Sequence, residues 1–259
     1  MRQATNAIPA KRQQCIMEYL SEKRSITIRE AARLCGVSEA TARRDLDEMA
    51  HQSLLERTHG GAVLERGTGL EMVHDEKMKV MIPEKTRIAK AAVKLIKEGD
   101  SIFLDSGTTT LLLSGLLQGI PNLTVITYNL DIAYSVKLDK TSALIVTGGI
   151  RRDGYGSLVG PIAEDMIRGL SVDFAFLGAD AISVRHGVFN SNFVELGVKR
   201  SAIACGQTRV LLSDHTKFKH KALTKVCDMD EFDVVITDNG LDQENRKLLE
   251  DKVRRLILV

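Results

Sequence analysis

The sequence has 259 residues and a formal net charge of +2, and its 44% hydrophobic and 27% charged residues are typical of globular proteins. These values exclude a wholly disordered chain, and no apolar run approaches the ~20 residues of a membrane-spanning helix. Aromatic residues make up only 4% and tryptophan is absent, which argues against single-strand binding through base stacking.

The first residues, MRQATNAIPAKRQQ, are polar and contain no apolar stretch of the kind found in secretion signals, which predicts a cytoplasmic protein. The four cysteines are widely separated, without a C-x-x-C pair or histidines at zinc-ligand spacing. We therefore expect reduced thiols, no metal and no cofactor. The cysteines are Cys15, Cys35, Cys205 and Cys227.

Residues 27–49 carry the signals of a helix-turn-helix. Thr27 and Glu30 have the spacing of a capping box, in which each side chain accepts a hydrogen bond from the other's backbone amide. Gly36 suits the left-handed conformation that ends a helix, and Ser38 suits the cap of the next helix. A second helix over Glu39–Met49 is therefore predicted to follow a short turn.

This second helix can be oriented from its sequence. At ~100° per residue, Ala42, Leu46 and Met49 share one face, which predicts that they lie in the core. Arg43 and Arg44 then lie on the outer side, and a guanidinium group can bond a DNA phosphate or the edge of guanine. The outer face therefore suits the major groove. Its other members are Ala40 and Asp47, with Thr41 on the flank.

The two arginines could instead only pair with the acidic residues beside them on a solvated helix face. The next segment favours DNA binding, because residues 54–64 predict two short strands around Gly60 and Gly61, as in the wing of a winged helix-turn-helix. Arg57 and His59 on this wing could reach the DNA backbone or the minor groove. The predicted DNA-contacting residues are Ser38, Thr41, Arg43, Arg44, Arg57 and His59.

The rest of the chain alternates apolar, β-branched runs with helical periodicity, which favours a Rossmann-like, mostly parallel α/β sheet. We predict a winged helix-turn-helix domain over 1–66, a linker over 67–83 and an α/β sensor domain over 84–259. Strands are predicted at Ser101–Leu104, Leu123–Thr127, Ala143–Thr147, Phe174–Leu177, Arg209–Leu212, Val234–Thr237 and Leu256–Val259. Helices are predicted at Glu84–Lys97, Thr109–Gln118, Leu158–Leu170, Phe193–Gly206 and Asp242–Val253.

The strongest chemical signal is the run Asp105-Ser106-Gly107-Thr108-Thr109-Thr110, where the first of these strands meets a helix. Gly107 favours a tight turn, while hydroxyls and backbone amides at a helix start can bind a phosphate. An ordinary capped helix start is the alternative interpretation. The run lacks the glycine and lysine spacing of a nucleotide-hydrolysing loop, so that activity is not indicated.

Polar residues and glycines also follow the other predicted strands, and the carboxyl ends of parallel strands share the edge where α/β sheets bind ligands. Such an edge suits a polyol that carries a phosphate. Glu195 and Lys199 have i, i+4 spacing and could contribute, or could be only a surface ion pair. The predicted ligand contacts are Asp105, Ser106, Gly107, Thr108, Thr109, Thr110, Asn129, Gly148, Gly149, Arg151, Asp180, Glu195, Lys199 and Lys217.

Two regions of the chain resemble the DeoR family of bacterial sugar-catabolism repressors. The DNA-binding region carries VSEATARRDL at 37–46 and RTHGGA at 57–62, with Ala42 where the family usually has a β-branched residue. The sensor region, which is similar in turn to ribose-5-phosphate isomerase, carries Asp105–Thr110, Gly148-Gly149, Gly178-Ala179-Asp180 and DHTKF at 214–218.

The resemblance implies a repressor of a carbohydrate operon that is released from double-stranded operator DNA by a phosphorylated sugar. The phosphate would lie on Ser106–Thr110, with Lys217 and Arg151 as further contacts. Such repressors act as homo-oligomers, so we expect a dimer or a tetramer. The linker is then expected to be the hinge between the DNA-binding and sensor domains.

An isomerase with an added DNA-binding module is the alternative function. The isomerase carries an Asp-Gly-Ala-Asp-Glu stretch, whereas Leu177 and Ala181 replace its first and last acidic residues here and leave only Asp180. Asp180, Glu195 and Lys199 could still supply a base and an electrophile for enediol chemistry. We nevertheless expect no catalytic residue and no enzyme activity, because the acidic pattern is incomplete.

Overall fold

The structure, a computed structural model, describes residues 9–23, 25–51, 55–58, 60–63, 74–152 and 154–259. Its chain divides into two compact units, 1–67 and 68–259. Within the described ranges, no helix combines the length and the apolar character needed to span a bilayer.

The described residues of the smaller unit form three helices and a three-stranded antiparallel sheet in the order β1-β3-β2. The predicted capping box is present, since Thr27 Oγ1 accepts from the Glu30 amide and Glu30 Oε2 accepts from the Thr27 amide. Gly36 follows the first helix of the pair with a φ of 65°, as predicted for a left-handed cap. The elements are α1 (Pro9–Lys23), β1 (Ser25–Thr27), α2 (Ile28–Cys35), α3 (Glu39–His51), β2 (Glu56–Thr58) and β3 (Gly61–Val63).

The larger unit is built on a seven-stranded sheet in the order β15-β14-β12-β9-β4-β5-β6, and every neighbouring pair is parallel. The Rossmann-like, mostly parallel sheet predicted from the sequence is confirmed, with each of the seven predicted strands in place. The strands are β4 (Ser101–Leu104), β5 (Thr124–Thr127), β6 (Ala143–Val146), β9 (Val172–Leu177), β12 (Gly206–Leu212), β14 (Val234–Thr237) and β15 (Arg255–Leu258).

Helices cover both faces of this sheet, which explains why its strands are apolar almost throughout. Because successive side chains point to opposite faces, Ile102 and Leu104 pack with one set of helices while Phe103 packs with the other. The first face is covered by α5 (Ile82–Ala92), α6 (Thr108–Ser114) and α7 (Leu130–Ser135). The second is covered by α8 (Pro161–Arg168), α9 (Leu196–Cys205) and α10 (Gln243–Lys252).

Several short elements were not predicted. The helix predicted at Leu158–Leu170 begins only at Pro161, because Leu158 and Val159 form a strand that pairs with Ile150 and Arg151. A second antiparallel sheet joins segments that are distant in sequence, so its pairing had no local signal. The added elements are α4 (His74–Lys79), β7 (Ile150–Arg151), β8 (Leu158–Val159), β10 (Ala181–Ser183), β11 (Gly187–Asn190) and β13 (Thr224–Cys227).

The boundary between linker and sensor differs from the predicted one. The stretch 67–83 was predicted to be a linker, yet α4 and the start of α5 lie within it and belong to the larger unit. Helix α4 contacts α6, so the second half of the predicted linker packs on the α/β unit. The sequence of α4 is polar and has no clear helical periodicity, so this short helix was not predicted.

Candidate functional site

The proposed recognition helix α3 has the predicted orientation. Ala42, Leu46 and Met49 are fully buried in the core of the smaller unit, while Arg43 and Arg44 are exposed. Within the described residues, neither arginine forms an ion pair. Two carboxylates that could have neutralised them have other partners: Asp45 bonds Arg12 at 2.7 Å and Asp47 bonds Arg57 at 2.7 Å. Neither Asp45 nor Asp47 therefore neutralises the two exposed guanidinium groups.

The start of α3 and the wing are held by hydrogen bonds among the predicted DNA contacts. Ser38 Oγ accepts from the Thr41 amide at 3.1 Å and lies 2.9 Å from the Thr41 hydroxyl, so Ser38 is the cap of α3. Arg57 is half-buried and donates to Asp47 and to the Gly61 carbonyl, which ties the wing to α3. His59 lies outside the described residues.

A cleft in the larger unit lies at the point where the strand order reverses. From β4 the chain proceeds outward through β5 and β6, then returns to β9 on the other side of β4. The loops after β4 and β9 therefore diverge to opposite faces, and α/β sheets bind ligands at such a point. The cleft is lined by Lys77, Lys85, Asp105, Ser106, Gly107, Thr108, Thr109, Thr110, Tyr155, Gly178, Ala179, Asp180, Asn190, Glu195, Lys199, Leu212, Ser213, Asp214 and Lys217.

Asp105 joins the two diverging loops from a fully buried position. Its carboxylate accepts from Lys199 Nζ at 2.6 Å, from the Gly178 amide at 2.8 Å and from the Tyr128 hydroxyl. Burial lowers the pKa of Lys199, but the carboxylates of Asp105 and Glu195 more than offset it, so the net pKa is raised. Asp105 and Lys199 therefore form a fixed ion pair in the floor of the cleft.

The predicted phosphate loop, residues 106–110, has a compact internal structure. Thr110 Oγ1 donates to the Asp105 carbonyl at 2.6 Å and accepts from the Gly107 amide at 3.0 Å. Gly107 has an extended φ of −145°, a backbone conformation that other residues also adopt. Thr108 and Thr109 line the cleft at the start of α6, where backbone amides lack helical partners.

Lys85 is a cation of the cleft that the sequence analysis missed. It lies on α5 with 4% of its surface exposed, and its Nζ donates to the Lys77 carbonyl at 2.6 Å. In the part of the chain that the structure describes, no carboxylate forms an ion pair with it. Burial, assisted by the nearby charge of Lys217, lowers the pKa of Lys85 to about 8.

Lys77 on α4 is a second cation that was missed, because its segment had been assigned to the linker. Its Nζ lies 2.8 Å from Asp180 Oδ1, and the other oxygen of Asp180 accepts from the Ser191 amide at 2.9 Å. Burial raises the pKa of Asp180, but Lys77 and the Ser191 amide more than offset it, so the pKa falls well below its usual value. Asp180 is therefore a fixed anion.

The interpretation of Glu195 and Lys199 as a surface ion pair is wrong. Both are buried, with 4% of each exposed, and Lys199 pairs with Asp105. Glu195 instead lies 2.7 Å from Arg152 and accepts from Ser157 at 2.8 Å. Their i, i+4 spacing places both side chains on the buried face of one helical segment.

Arg151, Gly148 and Gly149 were predicted to contact the ligand, but none of the three lines the cleft. Arg151 is exposed on β7, and the adjacent Arg152 lies over the Tyr155 ring at 4.1 Å. Gly149 packs tightly against β8, where an added Cβ would lie 2.8 Å from the Val159 carbonyl, and Gly148 lies at the same turn. Asn129 caps α7 and donates to Ser106 at 2.8 Å, so it supports the loop from behind.

The three groups that could have formed an isomerase site do share the cleft, but each is paired with an oppositely charged side chain. Asp180 pairs with Lys77 and Lys199 pairs with Asp105. A general base must be free to accept a proton near neutral pH, whereas Asp180 has a strongly lowered pKa. The described arrangement resembles a binding site with fixed charges.

Comparison with known families covers both units. The family model described as "DeoR-like helix-turn-helix domain" matches residues 12–68, and the one described as "DeoR C terminal sensor domain" matches residues 81–239. The chain belongs to the DeoR family of transcription regulators. The first match covers most of the smaller unit and the second covers most of the larger unit. The DeoR-family assignment therefore extends over most of the chain.

Full-length DeoR-family relatives agree with this assignment. The HTH-type transcriptional regulator YgbI of Escherichia coli (strain K12) is 34% identical over 96% of this chain and 98% of its own. The glycerol-3-phosphate regulon repressor of the same strain is 31% identical over 86% of this chain and 88% of its own. Among solved structures, a D-ribose-5-phosphate isomerase in complex with phospho-erythronic acid aligns with a TM-score of 0.38 and 18% identity, over 55% of this chain and 53% of that one.

Proposed function

We propose that this DeoR-family protein represses a carbohydrate operon in the cytoplasm and is released from its operator by a phosphorylated sugar. The cleft of the larger unit would bind the sugar phosphate, and α3 with the wing would bind the duplex. The glycerol-3-phosphate regulon repressor, a relative by sequence, is named for a regulon of a phosphorylated polyol. Isomerase turnover is not expected, because Asp180 is held as an anion by Lys77.

The observation that carries the effector proposal is Lys85. A buried ammonium without a carboxylate partner costs free energy, and a bound anion would offset that cost. Thr108 and Thr109 lie in the same cleft. Lys217 adds a second positive charge, which lowers the pKa of Lys85 by electrostatic repulsion. A phosphate near these groups would receive charge-assisted hydrogen bonds, which are roughly twice as strong as neutral ones.

Other residues of the same cleft suit a polyol chain. Asn190 and Glu195 are buried there, and Tyr155 presents an aromatic ring beside them. The carboxylates of Asp105, Asp180 and Glu195 are each paired with a lysine or an arginine, so hydroxyl groups can bond to them without adding an unpaired charge to the cleft. A neutral sugar with one phosphate therefore matches the charge of the cleft better than a ligand with several acidic groups.

The DNA part of the proposal rests on Arg43 and Arg44, which are exposed on α3 and have no ion-pair partner among the residues that the structure describes. In a winged helix-turn-helix the outer face of this helix enters the major groove. One copy reads one half-site, so we propose that a dimer or a tetramer binds an operator with two-fold symmetry.

A ligand screen tests the effector proposal. Each of a panel of phosphorylated sugars is compared with its unphosphorylated parent by thermal shift, and a ligand at 100 times its Kd should stabilise the protein by ~2.7 kcal/mol. Thr108→Asp should abolish this stabilisation, because a carboxylate would repel the phosphate. The matched control is Thr141→Asp at an exposed threonine outside the cleft. Stabilisation that survives in Thr108→Asp would show that the phosphate binds elsewhere.

A further inference from the structure

Helix α4 connects the cleft to the part of the chain that leads to the wing. It is the first described element after β3, and residues 64–73 separate the two in sequence. It belongs to the larger unit and contacts α6, the helix that begins with Thr108. Helix α4 is therefore the first described part of the larger unit that follows the DNA-binding unit in sequence.

Asp180 and Lys85, both residues of the cleft, contact α4 through Lys77. Asp180 Oδ1 lies 2.8 Å from Lys77 Nζ, and Lys85 Nζ donates to the Lys77 carbonyl at 2.6 Å. The side chains of the Lys77–Asp180 pair are only 18% and 12% exposed, so solvent screens them weakly. The Tyr155 ring lies 5.9 Å from the same ammonium group.

The same two groups are also those that a sugar phosphate would use. Lys85 is the buried cation of the proposed phosphate site, and its bond to Lys77 is made to a neutral carbonyl. A phosphate dianion is a stronger acceptor than a carbonyl, so Lys85 gains by turning toward it. Asp180 Oδ1 accepts from Lys77 and Oδ2 accepts from the Ser191 amide, so a sugar hydroxyl that donates to Oδ1 would share this oxygen with Lys77.

We propose that a ligand in the cleft releases α4 by competing for Lys85 and Asp180, and that Lys77 is the residue through which occupancy of the cleft is transmitted. This inference rests on the effector site proposed above and adds the way in which that site acts. A ligand changes an equilibrium only through differential affinity for two states, and here the unliganded state alone keeps both bonds to α4.

Hydrogen exchange of the full-length protein, with and without inorganic phosphate, tests this proposal. Phosphate should slow exchange at residues 106–110 and should accelerate exchange in peptides covering α4 by about fivefold, the factor expected for loss of one hydrogen bond. Lys85→Met should show fast exchange in α4 without phosphate and no further increase with it. Lys77→Met should also raise the basal exchange while residues 106–110 still respond.

The matched control is Lys79→Met, an exposed lysine on the same helix, which should behave as the unchanged protein. Slower or unchanged exchange in α4, together with protection of residues 106–110, would overturn the release of α4 and leave the effector site intact. Absence of protection at residues 106–110 would overturn both the effector site and the release. The two failures are therefore distinguishable.

Discussion

Lys85 shows how a single buried amine can define the chemistry of a cleft. It lies on the apolar face of α5, where Ile88, Ala89 and Ala92 follow it at i+3, i+4 and i+7. All four residues are buried, yet only Lys85 carries a charge. The cost of keeping that charge away from water is reflected in its pKa of about 8, well below the usual value for lysine.

This lowered pKa predicts a pH dependence for phosphate binding. A bound anion favours the charged amine and raises its pKa, so binding is accompanied by proton uptake once the pH exceeds about 8. Above this pH, where inorganic phosphate is mostly the dianion, the affinity for phosphate should fall by up to ~10-fold per pH unit. Isothermal titration calorimetry between pH 7 and 9.5 measures this decline.

Lysine-to-arginine substitutions test whether Lys85 itself causes the decline in affinity. Its charged neighbours are Lys77, Lys217 and Asp214. Lys85→Arg remains charged throughout this pH range and should lose the decline in affinity. Lys90→Arg, at an exposed position on the same helix, should keep it. A decline that persists unchanged in Lys85→Arg would assign the titration to another group.

Among the structural elements, the wing depends most directly on one glycine. Gly61 pairs with Thr27 across β1 and β3, and a Cβ at this position would lie 2.0 Å from the Ile26 carbonyl oxygen. The adjacent Gly60 has nothing within 4 Å of its Cβ position. The Gly-Gly pair therefore contains one glycine required by close packing and one that lies in open space.

Alanine substitutions at these two positions should therefore differ strongly. Gly61→Ala forces β3 away from β1 and should destabilise the smaller unit by ~1–3 kcal/mol, the usual cost of overpacking. Gly60→Ala should change the unfolding free energy by less than ~0.5 kcal/mol, as most surface substitutions do. Urea unfolding followed by circular dichroism measures both. Equal effects of the two variants would contradict the assigned register of β1 and β3.

The helices and strands differ in how well the sequence alone predicts them. All seven strands of the parallel sheet were predictable, because each is a short apolar run bounded by polar residues, and this holds even for the edge strand β6, which is largely exposed. The second sheet was not, because β11 pairs with β13 through contacts such as Val188 with Cys227 that no local pattern marks. Helix α4 was missed for a similar reason, since its position depends on packing against α6.

At the level of the whole molecule, residues that follow the predicted strands were the easiest part of the site to predict. Asp105, Asp180 and Lys217 line the cleft as predicted, because parallel strands bring their carboxyl ends together. Lys77 and Lys85 come from helices, where a lysine is usually solvated. The helical spacing of Lys85 with buried apolar residues was the one signal that could have identified it.

The division into two units predicts that DNA binding and ligand binding can be lost separately. Arg43→Ala or Arg44→Ala should weaken operator binding by ~1–3 kcal/mol, the range for loss of a direct arginine contact with a base. Thermal stabilisation by the ligand should be unchanged, because both arginines lie outside the larger unit. Fluorescence anisotropy with a labelled operator duplex measures the DNA affinity.

Arg246→Ala on α10 is the matched control for these variants, since it removes an exposed arginine from the larger unit. Operator affinity should be unaffected by it. Full retention of operator binding in both α3 variants would mean that another surface reads the duplex, and the assignment of α3 to the major groove would then be wrong.

The position of β4 beside β9 also affects the order in which the protein acquires its two properties during synthesis. These strands are neighbours in the sheet, yet β9 is translated long after β4, and the cleft further needs Lys199 and Lys217. The helix-turn-helix, in contrast, is encoded within the first quarter of the chain. A ribosome-bound or prematurely terminated product therefore contains the helix-turn-helix before it contains the residues of the cleft, so truncations late in the gene remove the groups proposed to bind the ligand and leave the helix-turn-helix sequence intact.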